Sequence, residues 1–329
     1  MSAAVGLVVI GRNEGARLER ALRSGLDAGL PVVYADSAST DGSAERAEAL
    51  GAIVARLDPS RPFGAARGRH EGFARLLEAH PALEAVQFLD GDCELEPGWL
   101  ETGLAALRAD PRLGGVWGTR VEREPGSTIF HEQLELEWRI PAGPATWFCG
   151  DALIRAAAYR ESGGFDPALV SGEESDLCVR LRAKGWSLLK LDAPMSRHEA
   201  GEFGFSQWWR RAQRTGTSYA VATAKHGGLR ASYRARKIVR IAVWAGLVPA
   251  LALGGAPFTK GASLLLLVAY PALAWRARRE GRGQGLSGRA LTVYALFTVL
   301  NRFPQLLGVL AVWLGVDRRR AGAYLYKER

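Results

Sequence analysis

Two acidic clusters contain the residues of this chain that are best suited to chemistry. The first is Asp90-Gly91-Asp92, which directly follows the apolar run 85–89. Burying unpaired carboxylates is costly, so Asp90 and Asp92 indicate a cation and an anionic ligand that compensate their charge. Magnesium in particular is usually held by one or two carboxylates together with substrate phosphates and water. The second cluster opens a helix-like segment further along the chain and contains Glu173, Glu174 and Asp176.

The first two hundred residues alternate short apolar runs with amphipathic segments. Apolar runs at 5–10, 32–35, 52–57, 85–89 and 115–118 are typical of buried strands. Between them, the apolar residues of segments such as 16–22 and 73–77 are spaced like one face of a helix. This alternation predicts an α/β fold with a mainly parallel sheet, whose ligands bind at the carboxyl ends of the strands. Asp90 and Asp92 follow such an end.

Charge is divided unevenly along the chain. Residues 1–205 carry 22 Lys and Arg against 31 Asp and Glu, a net charge of −9, whereas residues 206–329 carry 21 against 3, a net charge of +18. We therefore expect a core-bearing domain at 1–205, an amphipathic or interfacial linker at 206–237, and membrane helices with a basic tail at 238–329. The basic residues flank apolar runs instead of alternating with exposed aromatic residues, so no nucleic-acid partner is expected.

Three long apolar runs occupy the basic part of the chain, at 238–256, 262–275 and 290–315. A membrane-spanning helix needs about 20 apolar residues, so the first two runs predict a helical hairpin over about 238–275. The third is interrupted by Asn301-Arg302-Phe303-Pro304, which indicates re-entrant or interfacial helices over about 290–315. Buried helices of a large soluble protein are the alternative interpretation.

The flanking charges and the cysteines predict where the protein resides. Lys and Arg cluster outside both ends of the predicted hairpin, which places those ends and the acidic domain in the cytoplasm. No basic segment precedes the strand-like run at 5–10, so no signal peptide is expected there. Cys93, Cys149 and Cys178 lack ligand spacing, which is typical of reduced thiols in a cytosolic domain. We expect a membrane protein with a cytoplasmic acidic domain, and the resemblance described below implies the bacterial inner membrane.

A series of short motifs follows the ends of the predicted strands. In chain order they are Arg12-Asn13-Glu14, Asp36 with Ser39-Thr40-Asp41-Gly42, Gly64-Ala65-Ala66-Arg67, Asp90-Gly91-Asp92, Gly163-Gly164-Phe165-Asp166 and Glu173-Glu174-Ser175-Asp176-Leu177. Each motif is weak alone, but in this order they resemble the family-2 glycosyltransferases of the bacterial, membrane-attached type. The resemblance implies the GT-A fold and inverting transfer of a sugar from a nucleotide-diphosphate sugar.

The resemblance also implies a role for each matching residue. The residues that would bind the nucleotide are Arg12, Glu14, Asp36, Arg67 and Asp90, with Asp36 at the base and Asp90 at the ribose. Asp92 would bind a divalent cation, Mg²⁺ or Mn²⁺, that bridges the diphosphate, and His198 would be an additional metal ligand. Simpler explanations stay open at this point, because Arg67 could be a solvated helix residue and His198 an ordinary polar one.

Inverting transfer needs a base on the acceptor side of the anomeric carbon. The resemblance places it at the second acidic residue of a Glu-Asp-x-Asp-Leu run, which here is Glu174. This chain has Glu where the family usually has Asp, and the longer side chain leaves Glu173 and Asp176 open as alternatives. Acidic residues that stabilise a helix dipole would explain one or two of these three carboxylates.

Three functions are compatible with these residues. The first is sugar transfer to a glycan or lipid-linked hydroxyl acceptor at the cytoplasmic membrane face, in polysaccharide or glycolipid synthesis. The second is transfer to a polyprenyl phosphate, which is already an anion and needs little base catalysis. The third, of another class, is a non-catalytic membrane scaffold that binds nucleotide sugars, against which the presence of Asp90, Asp92 and Glu174 argues. The sequence identifies neither the nucleotide base nor the sugar nor the acceptor.

Overall fold

A computed structural model of the chain describes residues 4–123, 128–169, 171–226 and 233–315. These residues form two compact units. The first contains 4–123 and 138–200, and the second contains 128–137 and 201–315. The sequence placed the boundary at 205 and did not predict that 128–137 would join the second unit. The expected basic tail at 316–329 lies outside the described residues.

The first unit is built on a mixed sheet that has nine strands within the described part of the chain. They are β1 (Val5–Gly11), β2 (Val32–Asp36), β3 (Ile53–Arg56), β4 (Ala85–Asp90), β5 (Cys93–Leu95), β6 (Leu113–Glu122), β7 (Gly143–Ala145), β8 (Ala152–Arg155) and β9 (Ser187–His198). Their order is β3-β2-β1-β4-β8-β6-β9-β5, and β7 pairs with β9. The predicted strands are present as β1–β4 and β6, whereas the short strands β5, β7 and β8 were not predicted.

The direction of the strands changes across the sheet. Strands β3, β2, β1 and β4 are parallel, so their carboxyl ends meet at one edge. Strand β8 is antiparallel to both of its neighbours, β4 and β6. Strand β9 is parallel to β6 and antiparallel to β5 and β7. This antiparallel pairing brings the start of β8 and the end of β9 towards the edge where β4 ends.

Helices cover the sheet and complete the first unit. They are α1 (Ala16–Leu26), α2 (Ser43–Ala49), α3 (Ala65–Ala79), α4 (Trp99–Ala109), α6 (Ala156–Glu161) and α7 (Glu173–Ala183). Helix α5 (Ile129–Trp138) lies between α4 and α6 in the chain, and its residues 129–137 belong to the second unit. Every residue of β1 is buried, as expected for a central parallel strand covered on both faces. Helix α3 packs so closely on β1 that a Cβ atom at Gly72 would lie 2.6 Å from Val8 Cγ1. This close packing fixes the first turns of α3 over the strand ends.

The second unit is helical throughout its regular elements. They are α8 (Phe205–Lys225), α9 (Tyr233–Ile241), a π-helical segment (Ala242–Leu247), α10 (Val248–Gly255), a 3₁₀ helix (Ala262–Val268), α11 (Ala269–Gly283), α12 (Gly288–Leu300) and α13 (Arg302–Trp313). Ser263 Oγ donates to the carbonyl of Ala252 at 2.7 Å, and Tyr270 Oη donates to that of Trp244 at 2.5 Å. These contacts pair two antiparallel arms, so the region about 238–275 forms a helical hairpin.

Helix α8 is an integral part of this unit, although the sequence suggested a linker over 206–237. A Cβ atom at Gly216 would collide with the backbone of Gln305, and one at Gly308 would collide with that of Gln213. The α8 and α13 backbones therefore approach each other at two glycines, where no larger residue fits.

The polar interruption at Asn301 does not break the helix. Asn301 has helical dihedral angles, φ −55° and ψ −27°, and hydrogen bonds run through it from Phe297 to Gln305. Trp208 Nε1 donates to Asn301 Oδ1 at 2.7 Å, which satisfies the polar side chain inside the unit. The expected pair of helices over about 290–315 is thus one nearly continuous helix.

Candidate active site

The loops that follow β1 and β2 are hydrogen-bonded to each other. Asn13 Oδ1 accepts from the backbone N–H of Thr40 at 2.8 Å, and the Asn13 N–H donates to Ser39 Oγ at 3.0 Å. The Gly15 N–H donates to Asp41 Oδ2 at 3.1 Å. Asp41 also accepts from the backbone and hydroxyl of Ser43 at the start of α2. Two loops with little regular structure thereby form one continuous surface at the carboxyl edge of the sheet.

Asp36 and Glu14 are buried within this surface. Asp36 Oδ1 accepts from the Tyr34 hydroxyl at 3.0 Å, and Asp36 Oδ2 accepts from the Ser39 N–H at 3.1 Å. Glu14 pairs with Arg17 at 2.9 Å, and a Cβ atom at Gly91 would lie 3.1 Å from Glu14 Cγ. Glu14 therefore lies directly beside the Asp90-Gly91-Asp92 turn, as expected for residues that share one pocket.

Arg67 is almost completely buried, at 1% exposure, so the interpretation as a solvated helix residue is wrong. Its Nε donates to Glu71 at 2.6 Å, and its NH1 donates to backbone carbonyls of the loop before α3, at Asp58, Arg61 and Pro62. The ring of Phe63 lies 5.8 Å from the Arg67 guanidinium and 5.7 Å from that of Arg12. The Arg67 NH2 is buried and has no hydrogen-bond partner among the described residues. Arg67 thus stabilises this loop through its Nε and NH1 groups, and its NH2 group is available to donate a hydrogen bond.

Two buried arginines hold Asp90 at the end of β4. Arg69 NH2 donates to Asp90 Oδ1 at 2.8 Å, and Arg120 NH2 donates to Asp90 Oδ2 at 3.3 Å. Burial alone would raise the pKa of Asp90, but Arg69 and Arg120 outweigh it and lower the pKa to about 2. Asp90 is therefore ionised at every physiological pH and keeps lone pairs for a ligand hydroxyl.

Asp151 is a buried carboxylate that binds both Arg120 and the backbone of Asp90. It is fully buried, and its Oδ2 pairs with Arg120 at 2.7 Å and accepts from the Ser196 hydroxyl at 2.7 Å. Its Oδ1 accepts from the backbone N–H of Asp90 at 3.1 Å. Strands β4, β6, β8 and β9 are thus joined beneath the site by one network of ion pairs and hydrogen bonds.

The second acidic cluster lies at the start of α7, and its three carboxylates have different surroundings. Asp176 is 1% exposed and pairs with Arg180 at 2.5 Å, so it is committed to its own helix. Glu173 is 10% exposed and pairs with Arg69 at 3.1 Å. Glu174 is 27% exposed and lies 3.7 Å from Arg69 NH1. Of the three, Glu174 is the most accessible to a substrate.

Glu174 also differs in its ionisation. Burial and the adjacent Glu173 raise the pKa of Glu174 to about 7, although Arg69 offsets part of this effect. A carboxylate whose pKa lies near neutrality is suited to accept a proton. Arg69 thus connects Asp90 at the end of β4 with Glu174 at the start of α7.

Asp92 and His198 face each other beyond Asp90. His198 Nε2 lies 3.7 Å from Asp92 Oδ2, and His198 Nδ1 lies 2.8 Å from Glu122 Oε2. If Nδ1 carries the proton, it donates to Glu122 and the lone pair on Nε2 points towards Asp92, which is the usual orientation of a metal-binding histidine. No three His, Cys, Asp or Glu side chains within the described ranges converge on one point to hold a metal alone. The pair suits a cation that takes its remaining ligands from phosphates and water.

The structure adds four residues to the site that the sequence did not predict. They are Arg69, Arg120, Glu122 and Asp151. No signal in the sequence pairs Asp151 with Arg120. The other predicted residues are placed at this edge of the first unit, and their roles stay predictions.

Comparison with known proteins gives a family match for the first part of the chain. Residues 7–161 match the profile described as glycosyl transferase family 2. The matched residues include Asp36, Asp90 and Asp92, whereas Glu174 and His198 lie beyond them. This part of the chain is therefore similar to the glycosyltransferases of family 2.

Two relatives define how far the likeness extends. The chain is 30% identical over 197 residues to the pre-mycofactocin glycosyltransferase of Mycobacterium tuberculosis CDC 1551, covering 55% of this chain and 39% of that relative. It thus spans less than half of the curated relative. The solved mannosyltransferase PcManGT of Pyrobaculum calidifontis, in complex with GDP-Man and Mn²⁺, matches with a TM-score of 0.60 at 19% identity, covering 95% of this chain and 88% of the other. This likeness confirms the GT-A fold.

Proposed function

We propose that this protein is a glycosyltransferase that moves a sugar from a nucleotide-diphosphate sugar to a hydroxyl group on a glycan or lipid-linked acceptor, with inversion, in polysaccharide or glycolipid synthesis. The arrangement around Arg69 carries the proposal. One nitrogen of this guanidinium binds Asp90 at 2.8 Å, and another lies 3.7 Å from Glu174. A donor-side carboxylate and a base that titrates near neutrality are thereby held by one side chain, as proton removal from an acceptor hydroxyl requires.

The donor would occupy the surface formed by the loops after β1 and β2. In this proposal Asp36 contacts the base, Asp90 binds the ribose, and the remaining nucleotide-binding residues are Arg12, Glu14 and Arg67. The buried, unpartnered NH2 of Arg67 supports its role, because a donor group without a partner is costly until a ligand supplies one. The GDP-Man in the mannosyltransferase PcManGT supports a nucleotide-sugar donor.

In the transfer step, the acceptor oxygen forms a bond to the anomeric carbon as the bond from that carbon to the diphosphate oxygen breaks. Glu174 accepts the hydroxyl proton, and the nucleoside diphosphate leaves with the bonding electron pair. Glu173 is a weaker candidate for the base because it is paired with Arg69, and Asp176 is weaker still because Arg180 occupies it.

A divalent cation, Mg²⁺ or Mn²⁺, would be held by Asp92 and His198 with the diphosphate of the donor. When bound, such an ion neutralises negative charge on the leaving group. Glu122 orients His198 for this role through its contact with Nδ1. The Mn²⁺ in the mannosyltransferase PcManGT supports this assignment.

Transfer to a polyprenyl phosphate is the second candidate. That acceptor is already ionised, so it needs no base. The accessible Glu174 and its pKa near 7 favour a hydroxyl acceptor over this alternative.

A first test measures ligand binding by thermal shift. We expect one nucleoside diphosphate from a panel to raise the melting temperature in the presence of Mn²⁺, since a ligand at 100 times its Kd stabilises a protein by about 2.7 kcal/mol. Chelation of the metal should remove most of the effect. If no diphosphate stabilises the protein and no nucleotide sugar is consumed, the proposed function fails.

We further propose that the second unit embeds in the bacterial inner membrane, with the first unit in the cytoplasm. Ala235–Gly255 and Gly288–Trp313 are long and apolar enough to cross a membrane, with mean hydropathies of 1.8 and 1.5. Only 17% and 28% of these windows are buried in the structure, which is too little for core helices of a soluble protein. Exposed Leu251, Leu265 and Trp275 give the hairpin an apolar surface.

A charge substitution in the hairpin tests this embedding. Leu247→Arg should reduce the membrane-bound fraction, because Leu247 is exposed near the centre of the span Ala235–Gly255, where an arginine costs about 2.5–3.5 kcal/mol on insertion. Gln284→Arg, at the exposed end of α11, is the matched control and should not change it. The fraction is measured by immunoblot after carbonate washing, with detergent extraction as reference. Release of the wild-type protein by salt alone would contradict embedding.

A further inference from the structure

Arg69 is a buried charged residue whose desolvation is offset by ion pairs with three carboxylates. Its side chain is 3% exposed, and its nitrogens lie 2.8 Å from Asp90, 3.1 Å from Glu173 and 3.7 Å from Glu174. Removing a guanidinium from water costs several kcal/mol unless good ion pairs offset it. An apolar side chain would fill the same volume without that desolvation cost, so packing alone does not explain the positive charge.

The surroundings of Arg69 are shaped to hold it. A Cβ atom at Gly150 would collide with Arg69 NH2 in its present position, so the glycine leaves room for the guanidinium. The guanidinium lies 5.4 Å from the ring centre of Phe165, which covers one of its faces. Its Nε is buried and has no hydrogen-bond partner among the described residues. The position of the guanidinium is therefore fixed by contacts from several elements.

Arg69 connects two parts of the site that arise far apart in the chain. Asp90 ends β4 and lies on the donor side, whereas Glu173 and Glu174 begin α7. We propose that Arg69 is a positioning residue that holds Glu174 at a fixed place relative to the bound donor and keeps its carboxylate available as the base. This proposal rests on the proposed function and deepens it, because it assigns the control of the base to a residue that does not touch the acceptor.

The charges around Glu174 make the proposal testable by pH. Burial and Glu173, on the same helix, raise the pKa of Glu174, Arg69 from α3 lowers it, and Asp90 at the end of β4 raises it further. The nearby ion pair of Asp176 with Arg180 faces α6, where Arg180 also donates to the carbonyl of Ser162. Removing Arg69 should raise the pKa of Glu174, whereas removing the charge of Glu173 should lower it.

The experiment measures kcat and KM for donor consumption between about pH 5 and 9, a range of about two units either side of a base whose pKa lies near 7. For Arg69→Gln, we expect kcat at pH 7 to fall roughly five-fold and to recover largely at high pH, since the acid limb moves upward by about one pH unit. Arg69→Lys keeps the charge and should restore the acid limb to near its wild-type position. Arg75→Gln, an exposed change on the same helix, is the matched control and should behave as wild type.

Glu173→Gln provides an independent measurement, because it should shift the acid limb in the opposite direction. This variant tests the proposal if Arg69→Gln does not fold. Its acid limb should move to lower pH. A pH-independent loss in both variants would mean that Arg69 is merely structural, and an unchanged profile in a folded Arg69→Gln would overturn the proposal. Failure of the proposed function looks different, because the wild-type protein would then consume no nucleotide sugar at all.

Discussion

Replacing Glu174 with glutamine should lower kcat for transfer to a hydroxyl acceptor by roughly 10² to 10⁴, while the Kd for the nucleotide sugar stays within a few-fold of wild type. Glutamine keeps the size and hydrogen bonding of the side chain but cannot accept a proton. Donor binding is measured by calorimetry and transfer by product formation. Loss of both together would indicate a folding defect, and retention of both would show that Glu174 is not the base.

Two variants sharpen this result. Glu174→Asp keeps the functional group with a shorter reach, so it should retain part of the activity. Glu101→Gln changes an exposed acidic residue in the first turn of α4 and is the matched control for charge near a helix start. Parallel Glu173→Gln and Asp176→Asn variants, assayed with hydroxyl and polyprenyl-phosphate acceptors, separate the three candidate bases.

The pH profile of the wild-type protein follows from the same assignment. Because the pKa of Glu174 is raised to about 7, the base is charged above that pH and protonated below it. Activity should therefore fall as the pH drops through about 7. In Glu174→Gln the small residual activity should not show this acid limb.

Replacing Asp92 with asparagine should abolish the Mn²⁺-dependent stabilisation by nucleoside diphosphate, because a neutral amide is a poorer ligand than a carboxylate for a hard cation. The expected change is the loss of most of the ligand-induced rise in melting temperature, with the melting temperature of the ligand-free protein little altered. The measurement is a thermal-shift titration with and without Mn²⁺.

The control for this prediction is Asp27→Asn, at the exposed end of α1, which removes the same charge far from the strand ends. It should leave the stabilisation intact. If Asp92→Asn binds diphosphate and cation as the wild type does, the metal assignment is wrong. A parallel His198→Gln variant should show an intermediate loss if His198 is an additional ligand.

The sequence predicted the central part of the fold well, for a physical reason. Parallel strands buried on both faces are typically continuous apolar runs, so β1, β2 and β4 can be recognised in the local sequence. The short strands β5, β7 and β8 have only three or four residues each, and they form because β4, β6 and β9 offer them partners. That information is not local, and the sequence does not show it.

The helical unit shows the same division. Apolar runs predicted the hairpin, because the length and hydrophobicity of such runs can be read from the local sequence. The continuation of the helix through Asn301 depends on Trp208, nearly a hundred residues earlier in the chain. Its indole N–H donates a hydrogen bond to the asparagine side chain. The helix therefore continues through a segment that local sequence marks as a break.

For the candidate site, the sequence alone predicted that Asp36, Asp90 and Asp92 lie at or just after strand ends and share one edge of the sheet. Only the tertiary structure showed that Arg69 and Arg120 hold Asp90, that Glu122 backs His198, and that Asp176 is taken by Arg180. The reason is that charge on a side chain is written in the sequence, whereas pairing and desolvation depend on distances between residues far apart in the chain. Those distances support the proposal of Glu174 as the base over its two neighbours.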